Sequence, residues 1–225
     1  MEVDGILVAA RELKEPLATL RQLALSFDEM DMENELVREK MVSVSERAIR
    51  QVNDLLRLRR LENEEPELGP VAVRPVCDEV MQELQHLFRY NERELFVRYG
   101  GREQLVSANV DLLKSIVYNF LLNAAHYTGD EMRAELMVRE VKDRVRIAVR
   151  DYGPALPIDV WREMRRGWIE KPTSIAMRPG SSGLGLFIAS RFSRYMNAKV
   201  GAVRHRDGTS FYVDLIKSRQ LRLFE

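Results

Sequence analysis

The sequence predicts an α+β fold in two parts. An antiparallel helical hairpin comes first, and helices layered on one face of a mostly antiparallel sheet follow. Three observations carry this. Over residues 1–62 apolar side chains recur at alternating spacings of four and three. Across "NEEPELGPVA", residues 63–72, that period stops amid two prolines and a glycine. Beyond it, strictly alternating runs that read as β-hairpins are interleaved with helical runs.

The first helix carries Ile6, Ala10, Leu13, Leu17, Leu20, Ala24 and Phe27 on one seam. "FDEMDMENE" breaks it. The second helix repeats the rhythm with Val37, Met41, Val44, Ala48, Leu55 and Leu58, and Gln51 is the polar exception. Ile49, Val52, Leu56 and Leu61 widen the apolar face. A hairpin cannot bury so broad a face alone. A second copy would complete a four-helix bundle as a dimer; the alternative is packing on the chain's own second half. Residues 63–72 are the linker. "PVCDEVMQELQHLF" is helical, with Val76, Val80, Leu84 and Leu87 on one face and Pro75 suited to a first turn. "ELFVRY" and "QLVSA" read as short strands. Residues 111–125 form a strong helix. "RAELMVREVKDRVRIAVRD" turns at Lys142-Asp143, "LGLFIASRFSRYM" is helical, and "AKVGAVRHRDGTSFYVDL" turns near Asp207-Gly208. Residues 217–225 read as a tail.

At 225 residues and 45% apolar content the chain builds an ordinary core. Lys+Arg and Asp+Glu both number 35, so no net charge draws it to nucleic acid or membrane. The lone cysteine, Cys77, excludes an intrachain disulfide and a multi-cysteine zinc site, and fits a reducing cytoplasm. The N-terminal stretch lacks the basic region and apolar core of a signal peptide. No run approaches the roughly 20 apolar residues of a spanning helix, so any membrane anchor would lie outside this sequence.

Chemistry concentrates in the second half. In "YNFLLNAAHYT", Asn119 and Asn123 are four apart and share a helix face. Paired amide oxygens suit a hard cation such as Mg²⁺, although two such asparagines are commonly solvated or capping groups. In "VRDYGPALP", Asp151 ends a strand before Gly153. A carboxylate there can accept from an exocyclic amine and so select adenine, or simply make a strand-to-loop turn. In "PGSSGLGLFIASR", Gly180, Gly183 and Gly185 run into a helix N-terminus, where free N–H groups and the helix dipole attract phosphate. That spacing is neither a Walker A motif nor a dinucleotide fingerprint.

In this order the three segments resemble the N, G1 and G2 boxes of the two-component sensor histidine kinases, and the hairpin resembles their dimerisation and phosphotransfer domain. The likeness covers about residues 5–216. It implies a left-handed α/β sandwich over residues 73–216, shared with gyrases, heat-shock chaperones and mismatch-repair ATPases. It also implies Mg-ATP as ligand, a homodimer, and a response regulator receiver domain as partner. The nucleotide-binding positions it implies are Asn119, Asn123, His126, Tyr127, Asp151, Gly153, Gly183, Leu184, Gly185 and Thr209, with Asn119 and Asn123 on the metal.

The sequence departs from the family at its chemical centre. The phosphoacceptor motif, His-Glu-x-x-Thr/Asn-Pro, reads "RELKEP" here. Glu12 and Pro16 match, and Arg11 stands where the histidine belongs. With Ala10 and Leu13 on the seam, position 11 points to solvent. Pro16 removes the N–H that would bond the carbonyl of Glu12 and so bends the helix beside it. A neutral imidazole can attack a γ-phosphate while Glu12 draws off its proton. A guanidinium, always charged and with delocalised lone pairs, cannot. Glu15 stands where Thr or Asn would orient a water. His86, His126 and His205 all lie in the second half. G1 ends in Ala155 instead of glycine; if that position needs φ > 0, the methyl costs about 1 kcal/mol, roughly fivefold in affinity. Trp161 and Trp168 stand in the segment between G1 and G2, as lid contacts or packing residues. The readings are a kinase-type core with autophosphorylation impaired by Arg11, a nucleotide-responsive dimeric scaffold without phosphotransfer, or a DNA-handling ATPase. The hairpin and the absence of a basic tract argue against the last.

Overall fold

The computed structural model describes residues 17–22, 24, 34–101, 103–129, 132–158, 161–162, 165 and 184–218. Arg11, Glu12, Pro16, Trp168, Gly180 and Gly183 lie outside the described residues.

Among these, the second hairpin helix is α1 (Asn34–Leu61). The remaining elements are β1 (Gly69–Ala72), α2 (Val73–Tyr90), β2 (Glu94–Tyr99), β3 (Leu105–Ala108), α3 (Val110–Tyr127), β4 (Arg133–Val141), β5 (Arg144–Asp151), α4 (Leu184–Tyr195), β6 (Lys199–His205) and β7 (Gly208–Ile216). A five-stranded sheet runs β2-β4-β5-β7-β6, and β1 and β3 form a separate two-stranded sheet. The expected hairpins β4-β5 and β6-β7 are antiparallel. β2 instead joins β4 in parallel, which makes the sheet mixed. The stretch 63–72, expected to be a linker, ends in a strand: residues 69–72 pair with β3. The expected tail also begins by pairing, since Ser218 N–H donates to the Leu105 carbonyl at 2.9 Å.

Why the layers form follows from the burial pattern. β5 and β7 alternate, and Val145, Ile147, Val149, Phe211, Val213 and Leu215 face the helices at 3% exposure or less. α3 is apolar nearly all round, with Leu113, Ile116, Val117, Phe120 and Leu121 fully buried, because neighbours flank it on both sides. Asn109 caps its N-terminus, its Oδ1 accepting from Asp111 N at 3.1 Å and Leu112 N at 3.2 Å. The thiol of Cys77 is buried, and burial pushes it up to about 12, which leaves it unreactive.

α1 lies on the outside of this helical layer. The C-terminal part of its seam faces the chain's own domain: Leu58 is buried in the core, and Leu55 and Leu61 pack against it. Polar contacts run antiparallel along α3. Arg57 meets Asp111 at 3.4 Å, Asp54 accepts from Ser115 Oγ at 2.7 Å, the Arg50 guanidinium sits 4.0 Å over the Tyr118 ring, and Arg47 reaches His126. Of the two alternatives for this helix, packing on the second half is therefore observed. A second stripe stays open: Val42, Ile49, Val52 and Leu56 are exposed by 47%, 61%, 36% and 62%.

Candidate functional site

The loop after β5 lies against the C-terminal end of α3, and the described start of α4 lies against Asn119, farther back on the same helix. Asp151 is 1% exposed. Its Oδ1 accepts from Gly153 N at 3.3 Å and from Thr209 N at 3.2 Å. Thr209 is the register partner of Asp151 across β5–β7, and its own Oγ1 accepts from Leu156 N at 3.4 Å. A buried carboxylate needs such donors, and here they orient an acceptor before any ligand arrives.

The glycines mark close approaches. A Cβ on Gly153 would stand 1.7 Å from the Tyr127 carbonyl oxygen, so the loop after β5 lies directly against the end of α3. Gly129 N–H donates to the Tyr152 carbonyl at 3.1 Å and closes the same junction. Gly208, at φ +143°, turns the β6–β7 hairpin under Asp151, where a Cβ would fall 2.0 Å from the Asp151 carbonyl oxygen. Gly185, in the first turn of α4, leaves room for the Asn119 carboxamide; a Cβ there would stand 2.6 Å from Asn119 Oδ1.

Asn119 is 8% exposed, and its Nδ2 donates to the Ser115 carbonyl at 2.9 Å. Asn123, one turn on, is half-buried, and so is Tyr127. Leu184 is 1% exposed and belongs to the core, so at that position only the backbone is available to a ligand. Ala155 is not among the described non-glycine residues with positive φ, which are Glu92, Lys142 and Asn197. The condition for strain at G1 is thus not met.

His126 meets a cation from α1. Arg47 Nη1 lies 3.2 Å from His126 Nε2. A guanidinium only donates, so this nitrogen must carry a lone pair, which fixes a neutral ring protonated on Nδ1. Crowding by protein atoms, then the charges of Arg47 and Arg93, push the imidazole down to about 4. The residue is exposed, and the Arg47 contact sets the direction of the shift. Positive charge at this corner therefore comes from α1. The stripe Arg47-Arg50-Asp54-Arg57 recurs at helical spacing, and that regularity is the signal by which the sequence could have shown these residues facing α3.

Residues 108–219 match the family described as histidine kinase-, DNA gyrase B-, and HSP90-like ATPase. That segment is an ATPase-family domain of this type, set behind helices in an α+β fold. Its relatives are sensor histidine kinases. The probable sensor histidine kinase TcrY of Mycobacterium tuberculosis is 28% identical over 216 residues, 92% of this chain and 44% of that protein. The sensor protein kinase WalK of Staphylococcus aureus is 24% identical over 217 residues, 92% of this chain and 51% of that protein. Full-length ShkA in complex with AMPPNP superposes at TM-score 0.63 and 21% identity, over 96% of this chain and 46% of that one. Histidine kinase ThkA in complex with the response regulator protein TrrA superposes at TM-score 0.63 and 14% identity, over 95% of this chain and 61% of that one. The chain spans about half or less of the curated relatives named here. Among the described residues no helix is long and apolar enough to cross a membrane.

Proposed function

We propose that this chain is a histidine-kinase-type signalling core that binds Mg-ATP through residues 73–216, dimerises and docks a response regulator through residues 1–62, and works in the cytoplasm. The observation that carries the reading is a pair of contacts along one domain of the matched ATPase family: Asp151 accepts from Thr209 beside the C-terminal end of α3, and Asn119, farther back on α3, lies against Gly185 at the start of α4. The ShkA structure supports the ligand and the ThkA structure the partner, by what each of those proteins binds.

Each residue has a chemical task. Asp151, held by two backbone donors, accepts from the adenine amine. Asn119 spends its NH₂ on Ser115, which leaves Oδ1 as its ligand atom; with Asn123 one turn away, this oxygen pair fits Mg²⁺, which prefers hard oxygen donors. The metal, when bound, would neutralise charge on the phosphates. Tyr127 and Gly153 close the floor, Thr209 fixes Asp151, and the backbone at Gly183, Leu184 and Gly185 approaches the phosphates. His126, held neutral, accepts a hydrogen bond and adds no charge. Glu12 would be the general base for an acceptor at position 11.

Arg11 denies that step its nucleophile. The chain then takes up and holds nucleotide without transferring phosphate to itself, and signals by conformation or by docking. That favours the second reading, a nucleotide-responsive dimeric scaffold, as the outcome for the chain as it stands. The test is incubation with γ-labelled ATP beside an Arg11→His variant. The unmodified chain should form no acid-labile, alkali-stable adduct, and the variant should form one. An adduct on the unmodified chain would mean that the acceptor lies elsewhere, with His86, His126 and His205 the first to map.

A further inference from the structure

α1 packs against α4 and sets a row of polar side chains against α3. Asp54, on its buried side, is 3% exposed, and Gln51 Oε1 is buried without a hydrogen-bond partner. A leucine at position 54 would bury apolar surface without taking a carboxylate out of water. A polar residue at such a place calls for a role other than adhesion.

The hydrogen bonds around it indicate one. Asp54 Oδ2 accepts from Ser115 Oγ at 2.7 Å. Arg57 Nη1 lies 3.9 Å from the other oxygen of Asp54, and the Ser115 hydroxyl commits its proton to Oδ2 and turns its lone pairs elsewhere. They meet Asn119 Nδ2 at 3.5 Å, while the same nitrogen donates to the Ser115 carbonyl at 2.9 Å. The amide nitrogen of Asn119 is thereby held back along α3. Its Oδ1 faces the start of α4, against Gly185. The contacts run without a gap from α1 through α3 to α4.

We infer that Asp54 is a positioning residue for the nucleotide pocket: through Ser115 it holds the Asn119 carboxamide with its oxygen toward α4, and so ties the seating of α1 to occupation of the pocket. This rests on the nucleotide-binding reading above and adds to it a residue outside the ATPase-family match of 108–219. Linkage makes the effect reciprocal. Whatever seated α1 adds to ligand affinity, bound ligand adds to the seating of α1.

The test uses the full chain, titrated with ATP with and without magnesium, and amide hydrogen exchange over residues 45–60 with and without Mg-ATP. Asp54→Leu should keep α1 protected and the Tm equal or higher, yet weaken Mg-ATP binding about three- to tenfold, the worth of one hydrogen bond. Asp54→Asn, whose amide oxygen still accepts from Ser115, should stay within about twofold, the scatter of independent substitutions. Ser115→Ala should lose as much as Asp54→Leu, and serves as the second arm if leucine disturbs folding. Mg-ATP should slow exchange in α1 of the native chain and not in Ser115→Ala. Native affinity in both Asp54→Leu and Ser115→Ala would overturn the positioning role while leaving the nucleotide reading intact. So would a loss in Asp54→Asn equal to that in Asp54→Leu. A native chain that binds no nucleotide would overturn both.

Discussion

At Gly153 one added methyl group meets a backbone oxygen at 1.7 Å, and the nearest atoms are all backbone of Tyr127 and Thr128, which cannot turn aside as a side chain would. Gly153→Ala should therefore cost about 1–3 kcal/mol of stability, the usual cost of overpacking. Gly69→Ala, with nothing within 4 Å of the new Cβ, should be near neutral. Thermal denaturation of the two variants side by side checks this. His126 gives a second residue-scale expectation. Its folded pKa lies near 4, below the ordinary 6.5, so between those values the unfolded chain binds the extra proton. The contribution of His126 to stability is present above pH 6.5 and lost as pH falls toward 4. His126→Gln, which keeps an acceptor and cannot charge, should flatten that limb of the stability–pH curve. Asp151 and the glycines stood out in the sequence by residue type at a strand end and before a helix, although the contacts they make are with distant segments. The neutrality of His126 was not, because it depends on Arg47, a residue 79 positions away in the chain.

Among the elements, the hairpins β4-β5 and β6-β7 were readable because alternation and a turn signal lie side by side. α3 was readable from its capped start and long apolar run. β1 was not, because its four residues, Gly-Pro-Val-Ala, look like a linker until β3 pairs with them. The parallel pairing of β2 with β4 also escaped, since nothing local to either strand encodes it. α1 was legible, and its broad apolar face was open to a second copy or to the chain's own second half. A heptad seam shows which side is buried and not what buries it. The structure leaves a different stripe exposed, Val42, Ile49, Val52 and Leu56, spaced seven, three and four apart. That is the periodicity of a bundle seam, and it is the face expected to meet a second copy. Light scattering of the chain at micromolar concentration should give twice its 26.1 kDa. Ile49→Glu with Leu56→Glu should return the monomer and leave the far-UV circular dichroism of the ATPase domain unchanged. A native chain that runs as a monomer would contradict this assignment of the stripe.

At the scale of the whole molecule, the proposed function joins a nucleotide-binding domain to a hairpin whose sequence lacks the nucleophile. The two halves are not independent. Arg47, Arg50, Asp54 and Arg57 carry the hairpin's second helix onto the helix that bears Asn119, Asn123 and His126. On the proposed function, nucleotide bound there would be sensed by α1 whether or not any phosphate moves. All of this stands on nucleotide binding, and calorimetric titration of the full chain with ATP and magnesium tests it most directly. The expected result is one saturable site per chain, weakened at least tenfold when Asp151→Asn replaces the adenine acceptor, since a lost charge-assisted hydrogen bond costs about 1.5–3 kcal/mol. No saturable binding up to about 1 mM, where a complex is worth only about 4 kcal/mol, would contradict it.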